Sequence, residues 1–112
     1  NHIRDFKGYD HPFVIDGWKP NILGEVGTLR DPHSGRRVEV LSSQPSVMIY
    51  TGNWLAGGCP ETKHGGQYAD YDGVAIECQN YPDAVNHADF PSPLLHPGET
   101  YCQKIVFRFG VC

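Results

Sequence analysis

Glu77 combines residue type and setting in a way that suits it to moving a proton. It lies in Val74-Ala75-Ile76-Glu77-Cys78-Gln79, where the two-residue period of an extended chain puts Val74, Ile76 and Cys78 on one face and Ala75, Glu77 and Gln79 on the other. The first face reads as core, and the second presents a carboxylate beside an amide. A carboxylate so placed is ordinarily just solvated. At the floor of a cleft it becomes a general base instead, because partial burial disfavours the charged form and lifts its pKa toward the working range. Asp10, next to His11 and flanked by Tyr9 and Phe13, precedes a short apolar run; there an aspartate either closes an Asx-turn or fixes a ligand hydroxyl. Other chemistries find little support. His11, His87 and His96 are separated by Pro-rich stretches without H-x-H or H-E-x-x-H spacing, and Cys59, Cys78, Cys102 and Cys112 form no C-x-x-C pair, so no metal centre is indicated. There is neither a G-x-S-x-G elbow nor a phosphate-cradling glycine loop with its lysine.

The elements that must position these groups are strands. With 13 Gly and 9 Pro in 112 residues, the chain carries too many helix breakers for a bundle or coiled coil. Two-residue alternation is the strongest pattern, and the runs that qualify as strands are His11–Asp16, 23–30, 36–43, Val47–Thr51, Val74–Gln79 and Tyr101–Phe109. Asp31-Pro32-His33-Ser34-Gly35 has hairpin-turn composition, which predicts antiparallel pairing of 23–30 with 36–43. Val47-Met48-Ile49-Tyr50-Thr51 is too continuously apolar to face water on either side and reads as a central strand. Gly52 to Gly73 is glycine-rich and aperiodic, a long loop of the kind that is usually functional or mobile. Asn80 to Pro97 holds Pro82, Pro91, Pro93 and Pro97, so it crosses the surface in extended or turn conformation. The expected fold is all-β, an antiparallel sandwich or part of one.

Size allows one domain. A formal net charge of −4 provides no cationic field for nucleic acid, and no apolar run reaches the roughly 20 residues of a membrane span. The first residue is Asn1 and the only methionine is Met48, so the chain is expected to be a processed product or part of something longer. Cys78 reads as a small buried hydrophobe, whereas Cys59 in a Gly/Pro loop and Cys112 at the end of the chain are easier to bridge. The compartment stays open: the cytoplasm is slightly favoured, and secretion is the alternative if the cysteines are bridged. Trp18, Trp54, Tyr50, Tyr71 and Tyr81 are expected to pack in the core, with stacking on a ligand ring as the alternative.

Several segments, taken in order, carry a resemblance: Gly8-Tyr9-Asp10-His11-Pro12-Phe13, Gln44-Pro45, Tyr50-Thr51-Gly52-Asn53, the eleven residues Glu77 to His87, and Leu95-His96-Pro97-Gly98-Glu99-Thr100-Tyr101. Together they resemble the C-terminal portion of the aldose 1-epimerase (galactose mutarotase) family. The resemblance implies a large antiparallel β-sandwich of which residues 1–112 form the C-terminal part of a single domain. It also implies interconversion of the α and β anomers of free aldohexoses such as galactose and glucose, without a cofactor or metal. By this match Glu77 falls at the family's general base, Asp10 at a sugar-hydroxyl ligand and Gln44 at a further substrate contact. The family's general-acid histidine, with a second histidine and an arginine, belongs to the region before residue 1, and none of the six histidines here sits in a matching motif. The expected partners are therefore the monosaccharide and the N-terminal remainder of the same enzyme, with no nucleic acid and no membrane. The rival readings are a non-catalytic sugar-binding β-sandwich, a disulfide-stapled interaction domain and an epimerase acting on a sugar phosphate.

Overall fold

The computed structural model of the chain describes residues 7–58 and 61–111. Its strands among these are β1 (Asp10–Val14), β2 (Gly24–Arg30), β3 (Arg36–Ser42), β4 (Ser46–Tyr50), β5 (Ala75–Gln79) and β6 (Ile105–Val111), with a single turn of 3₁₀ helix at Ala84–Asn86. The fold is all-β, with two three-stranded sheets ordered β1-β4-β5 and β2-β3-β6. Two compact units divide the chain: Asn1–Phe13 with Met48–Glu77, and Val14–Val47 with Cys78–Cys112.

In the second unit, β3 is the centre of an antiparallel sheet. It pairs with β2 from Gly24↔Ser42 to Arg30↔Arg37, and with β6 from Arg36↔Val111 to Ser42↔Ile105. The hairpin between β2 and β3 is set by Asp31, whose carboxylate accepts from the His33 and Ser34 amides at 3.0 and 3.2 Å and from Ser34 Oγ at 2.5 Å. Those donors, the Ser34 hydroxyl foremost, hold the Asp31 carboxyl below its ordinary pKa. Gly35 closes the turn at φ 71°, where other residues are strained. A register shift between Glu25 and Gly27 interrupts the regular alternation expected along β2.

Directly opposed residues share a face. One face of this sheet therefore carries Leu29, Val38, Val40, Phe107 and Phe109, and the other carries Arg37, Glu39 and Arg108. Val40 is buried, while Phe109 is 81% exposed and stacks on Phe107 with ring centroids 6.4 Å apart. On the polar face Arg37 reaches Glu39 at 3.3 Å. The expected strand Tyr101–Phe109 begins only at Ile105. Just before it, Ser43 binds the incoming chain: its Oγ donates to Gln103 Oε1 at 2.5 Å and accepts from the Lys104 amide at 2.9 Å, and its own amide donates to the Lys104 carbonyl at 3.0 Å.

The β1-β4-β5 sheet is antiparallel as well. Backbone bonds link Thr51 to Tyr9 at 3.1 Å and Ile15 to Pro45 at 3.0 Å, so one strand ascends as the other descends. Gly52 lies against the Gly73 carbonyl, and Ser46 Oγ donates to the Gln79 carbonyl at 2.8 Å, which gives β4 and β5 the same opposed sense. The expected central strand, Val47–Thr51, is found at Ser46–Tyr50 between β1 and β5.

The Gly52–Gly73 stretch lacks regular structure, as its composition predicts, and it is tied down by polar contacts. Asp70 accepts from the Ala56 amide at 3.0 Å and from Lys7 Nζ at 2.9 Å, while the Tyr71 hydroxyl donates to the Lys7 carbonyl at 2.7 Å. Core packing is not what the structure shows for Trp54 and Tyr71, which are exposed; Lys7 Nζ sits 3.9 Å above the Trp54 ring. Cys78 is buried, Cys102 exposed, and both are free thiols. Desolvation pushes the Cys78 thiol up. Cys59 and Cys112 lie outside the described residues. Among the described residues no helix is long and apolar enough to cross a membrane.

Candidate active site

Asp10 and Glu77 lie on the two outer strands of one sheet, within the first unit. Pairing of Tyr9 with Thr51 places Asp10 opposite Tyr50. Counting from the Gly52–Gly73 approach and the Ser46–Gln79 hydrogen bond puts Glu77 beside Met48. Met48 and Tyr50 are two residues apart and project from the same side of β4. Asp10, Tyr50, Met48 and Glu77 therefore share one face, and the aromatic contacts confirm the alternation: Tyr9 meets His11 and Phe13 on the opposite face of β1, with centroids 6.3 and 6.0 Å apart.

Two strand spacings, about 10 Å, separate the outer strands, with an offset of about 7 Å along them. That gap is too wide for a direct hydrogen bond between the carboxyls and wide enough for a small polar molecule to touch both. Asp10 and Glu77 are exposed, so both carboxylates are accessible. Tyr50 is held by its hydroxyl, which accepts from the Trp54 amide at 2.9 Å.

Gln44 belongs to the second unit. It is 5% exposed, in the segment between β3 and β4. Its amide N–H donates to Ser42 Oγ at 2.9 Å, and its side-chain Nε2 donates to the Tyr101 hydroxyl at 3.0 Å. Its Oε1 is buried with no hydrogen-bond partner among the described residues. A buried carbonyl oxygen left in this state is costly unless a ligand or water supplies a donor. Gln44 lines a cavity of about 380 Å³ together with Trp18, Asn21, Asn80, Ser92 and Gln103, within the size range of small-molecule sites. Trp18 is fixed there by its indole N–H, which donates to the Ser43 carbonyl at 2.8 Å. Sequence reading did not assign Asn21, Asn80 or Gln103 to a site. Only Asn80 carried a signal, through the block that begins at Glu77. No group of three or more His, Cys, Asp or Glu among the described residues could hold a metal ion.

Comparison with known proteins decides the family. The family model described as aldose 1-epimerase matches residues 1–108. The chain belongs to the aldose 1-epimerase family. Human galactose mutarotase is 41% identical over 112 residues, covering 98% of this chain and 32% of that protein. Aldose 1-epimerase of Haemophilus influenzae is 38% identical over 107 residues, covering 92% of the chain and 29% of the relative. The Escherichia coli K12 aldose 1-epimerase is 34% identical over 112 residues, covering 95% and 30%. The chain thus spans about a third of the length of these relatives. Within this aldose 1-epimerase segment, Asp10 and Glu77 share a sheet face, and Gln44 lines a cavity in the second unit.

Proposed function

We propose that residues 1–112 are the C-terminal part of a single-domain aldose 1-epimerase that interconverts the α and β anomers of free aldohexoses such as galactose and glucose. The observation that carries this reading is the shared face of Asp10 and Glu77, in a chain of the aldose 1-epimerase family.

Glu77 is the general base. Its carboxylate takes the proton of the anomeric hydroxyl; as the C1 carbonyl forms, the C1–O5 electron pair leaves with the ring oxygen. O5 takes a proton from a histidine supplied by the region that precedes this segment in its relatives. The open aldehyde turns about the C1–C2 bond. On closure the imidazole recovers the O5 proton, O5 attacks the other face of the carbonyl, and protonated Glu77 returns its proton to O1. No atom or electron is left over. Asp10 accepts hydrogen bonds from sugar hydroxyls, and Gln44 is a further substrate contact by the same resemblance.

The remainder of the enzyme is also a physical requirement. Leu29, Ile105, Phe107 and Phe109 are exposed large apolar side chains on the β2-β3-β6 sheet, and a contiguous apolar face of this kind marks an interaction surface. Glu77 stands in water in this segment alone. Covering it would exclude bulk water from the site in which the carboxylate works.

Glu77→Gln in the whole protein tests the assignment: kcat for mutarotation should fall by about 10²–10⁴-fold, the usual contribution of a positioned base, with little change in sugar affinity. Exposure of Glu77 favours one second reading, a non-catalytic sugar-binding module. That reading requires Glu77→Gln to leave both affinity and any measured rate unaltered. Appreciable mutarotation by residues 1–112 alone would overturn the requirement for the remainder.

A further inference from the structure

Tyr9, the residue just before Asp10, is gripped by three polar groups. Its amide donates to Thr51 Oγ1 at 3.0 Å. Its carbonyl accepts from the Thr51 amide at 3.1 Å and from Asn53 Nδ2 at 3.0 Å. Thr51 Oγ1 in turn donates to Asn53 Oδ1 at 2.6 Å. Asn53 is 0% exposed, and no side chain of its size is more deeply buried.

Backbone geometry enforces the arrangement from both sides. Gly52 turns the chain at φ 68°, which aims Asn53 back toward β1, and a Cβ on Gly52 would stand 2.7 Å from the Gly73 carbonyl. At Gly8 a Cβ would stand 2.4 Å from Asn53 Oδ1 and 2.5 Å from Thr51 Oγ1. Only glycine lets the segment before Tyr9 approach this pair so closely.

The Tyr9 carbonyl and the Asp10 amide form one rigid peptide plane. Fixing the carbonyl therefore fixes the direction in which Asp10 leaves the backbone. We propose that Asn53 is a positioning residue for Asp10: it holds the Tyr9–Asp10 peptide plane so that the Asp10 carboxylate meets the sugar hydroxyl in one orientation. The inference rests on the reading of Asp10 as a sugar-hydroxyl ligand. A tilt of that plane by about 20° displaces the carboxylate by about 1 Å, a misplacement large enough to lose a well-aligned contact.

The test is a double-mutant cycle in the whole protein, with Asn53→Asp and Asp10→Ala made singly and together. Asn53→Asp keeps the shape and the acceptor for Thr51 Oγ1 and loses the Nδ2 donor to Tyr9. It should raise KM for the aldose about five- to tenfold with kcat within about twofold, the pattern of a lost binding contact. In the Asp10→Ala background the same substitution should change KM by less than about twofold, because the carboxylate it orients is gone. If Asn53→Asp yields no folded protein, Thr51→Val, which removes the hydroxyl between Asn53 and Tyr9, carries the same cycle. An equal rise in KM in both backgrounds, or a lowered melting temperature with KM unchanged, would overturn the positioning role alone. An unchanged KM in Asp10→Ala by itself would overturn the reading of Asp10 and the inference with it.

Discussion

The two compact units hold themselves together by different means. Around Asp10 and Glu77, order comes from long-range side-chain hydrogen bonds onto backbone: Thr51 and Asn53 onto Tyr9, and Asp70 onto Ala56. The β2-β3-β6 sheet is held instead by an unbroken β3–β6 ladder and by apolar burial that is deepest at Val40. The difference teaches where single substitutions act. A polar network concentrates its stability in a few atoms, so removing one leaves a buried partner unsatisfied. A ladder with an apolar face spreads its stability over many contacts, and one truncation is felt mainly as a lost methyl group and a cavity. Groups that must be aimed suit the first kind of support, and surfaces that must be covered suit the second.

Gly8→Ala is the larger way to break this contrast. The added methyl would overlap Asn53 Oδ1 and Thr51 Oγ1, and both atoms are committed to hydrogen bonds, so neither can retreat without unpairing Tyr9. Destabilisation of about 3 kcal/mol is expected, in the range of overpacking at a tight site. Chemical unfolding of the whole protein measures it. Amide exchange should show lost protection at Tyr9 and Thr51, with β3 and β6 unchanged. Val40→Ala reverses the pattern, with a cost of about 2 kcal/mol for two buried methyl groups and the space they leave. Its lost protection should fall on the β2-β3-β6 amides and spare Tyr9. If both substitutions loosen the same amides to the same degree, the two modes of support are one.

Much of this was legible in the sequence. The β2–β3 hairpin was readable because Asp31 and Gly35 bracket a turn whose chemistry is local. Glu77, Asp10 and Gln44 were assigned through resemblance rather than through alternation, which by itself favours a solvated Glu77. The start of β6 was placed too early, because the bonds that Ser43 makes to Gln103 and Lys104 join residues about sixty apart in sequence and leave no local pattern. Asn53 was visible as part of Tyr50-Thr51-Gly52-Asn53, but its work on Tyr9 spans 44 residues and no local pattern encodes it. Trp54 was expected in the core because aromatic size favours burial. A lysine over its ring provides a partner that sequence spacing does not show.

The smallest effect expected is that of pH on the Lys7–Asp70 clasp, and it sharpens the comparison because the clasp joins residues 63 apart in sequence, whereas the Arg37–Glu39 pair of the β2-β3-β6 sheet lies within one strand. The hydrogen bond from Lys7 is the main cause that lowers the Asp70 pKa below its ordinary 3.8, and the same bond raises Lys7 above its ordinary 10.5. A carboxyl with a depressed folded pKa contributes stability that is complete above 3.8 and is lost as pH falls through the lower folded value. An amine with a raised folded pKa contributes stability that is complete below 10.5 and is lost as pH rises through the higher one. The clasp is therefore intact between these limits and opens outside them. Both side chains are solvent-accessible, so salt weakens the pair and the effect is small. Amide exchange at Ala56, whose N–H the same carboxylate accepts at 3.0 Å, should speed up below about pH 4 relative to the intrinsic rate. Asp70→Asn keeps the shape and an acceptor for Ala56, so it should remove the acid-side change while leaving Ala56 protected at neutral pH. An acid-side change that persists in Asp70→Asn would assign it to other carboxylates and leave the loop held without its ion pair.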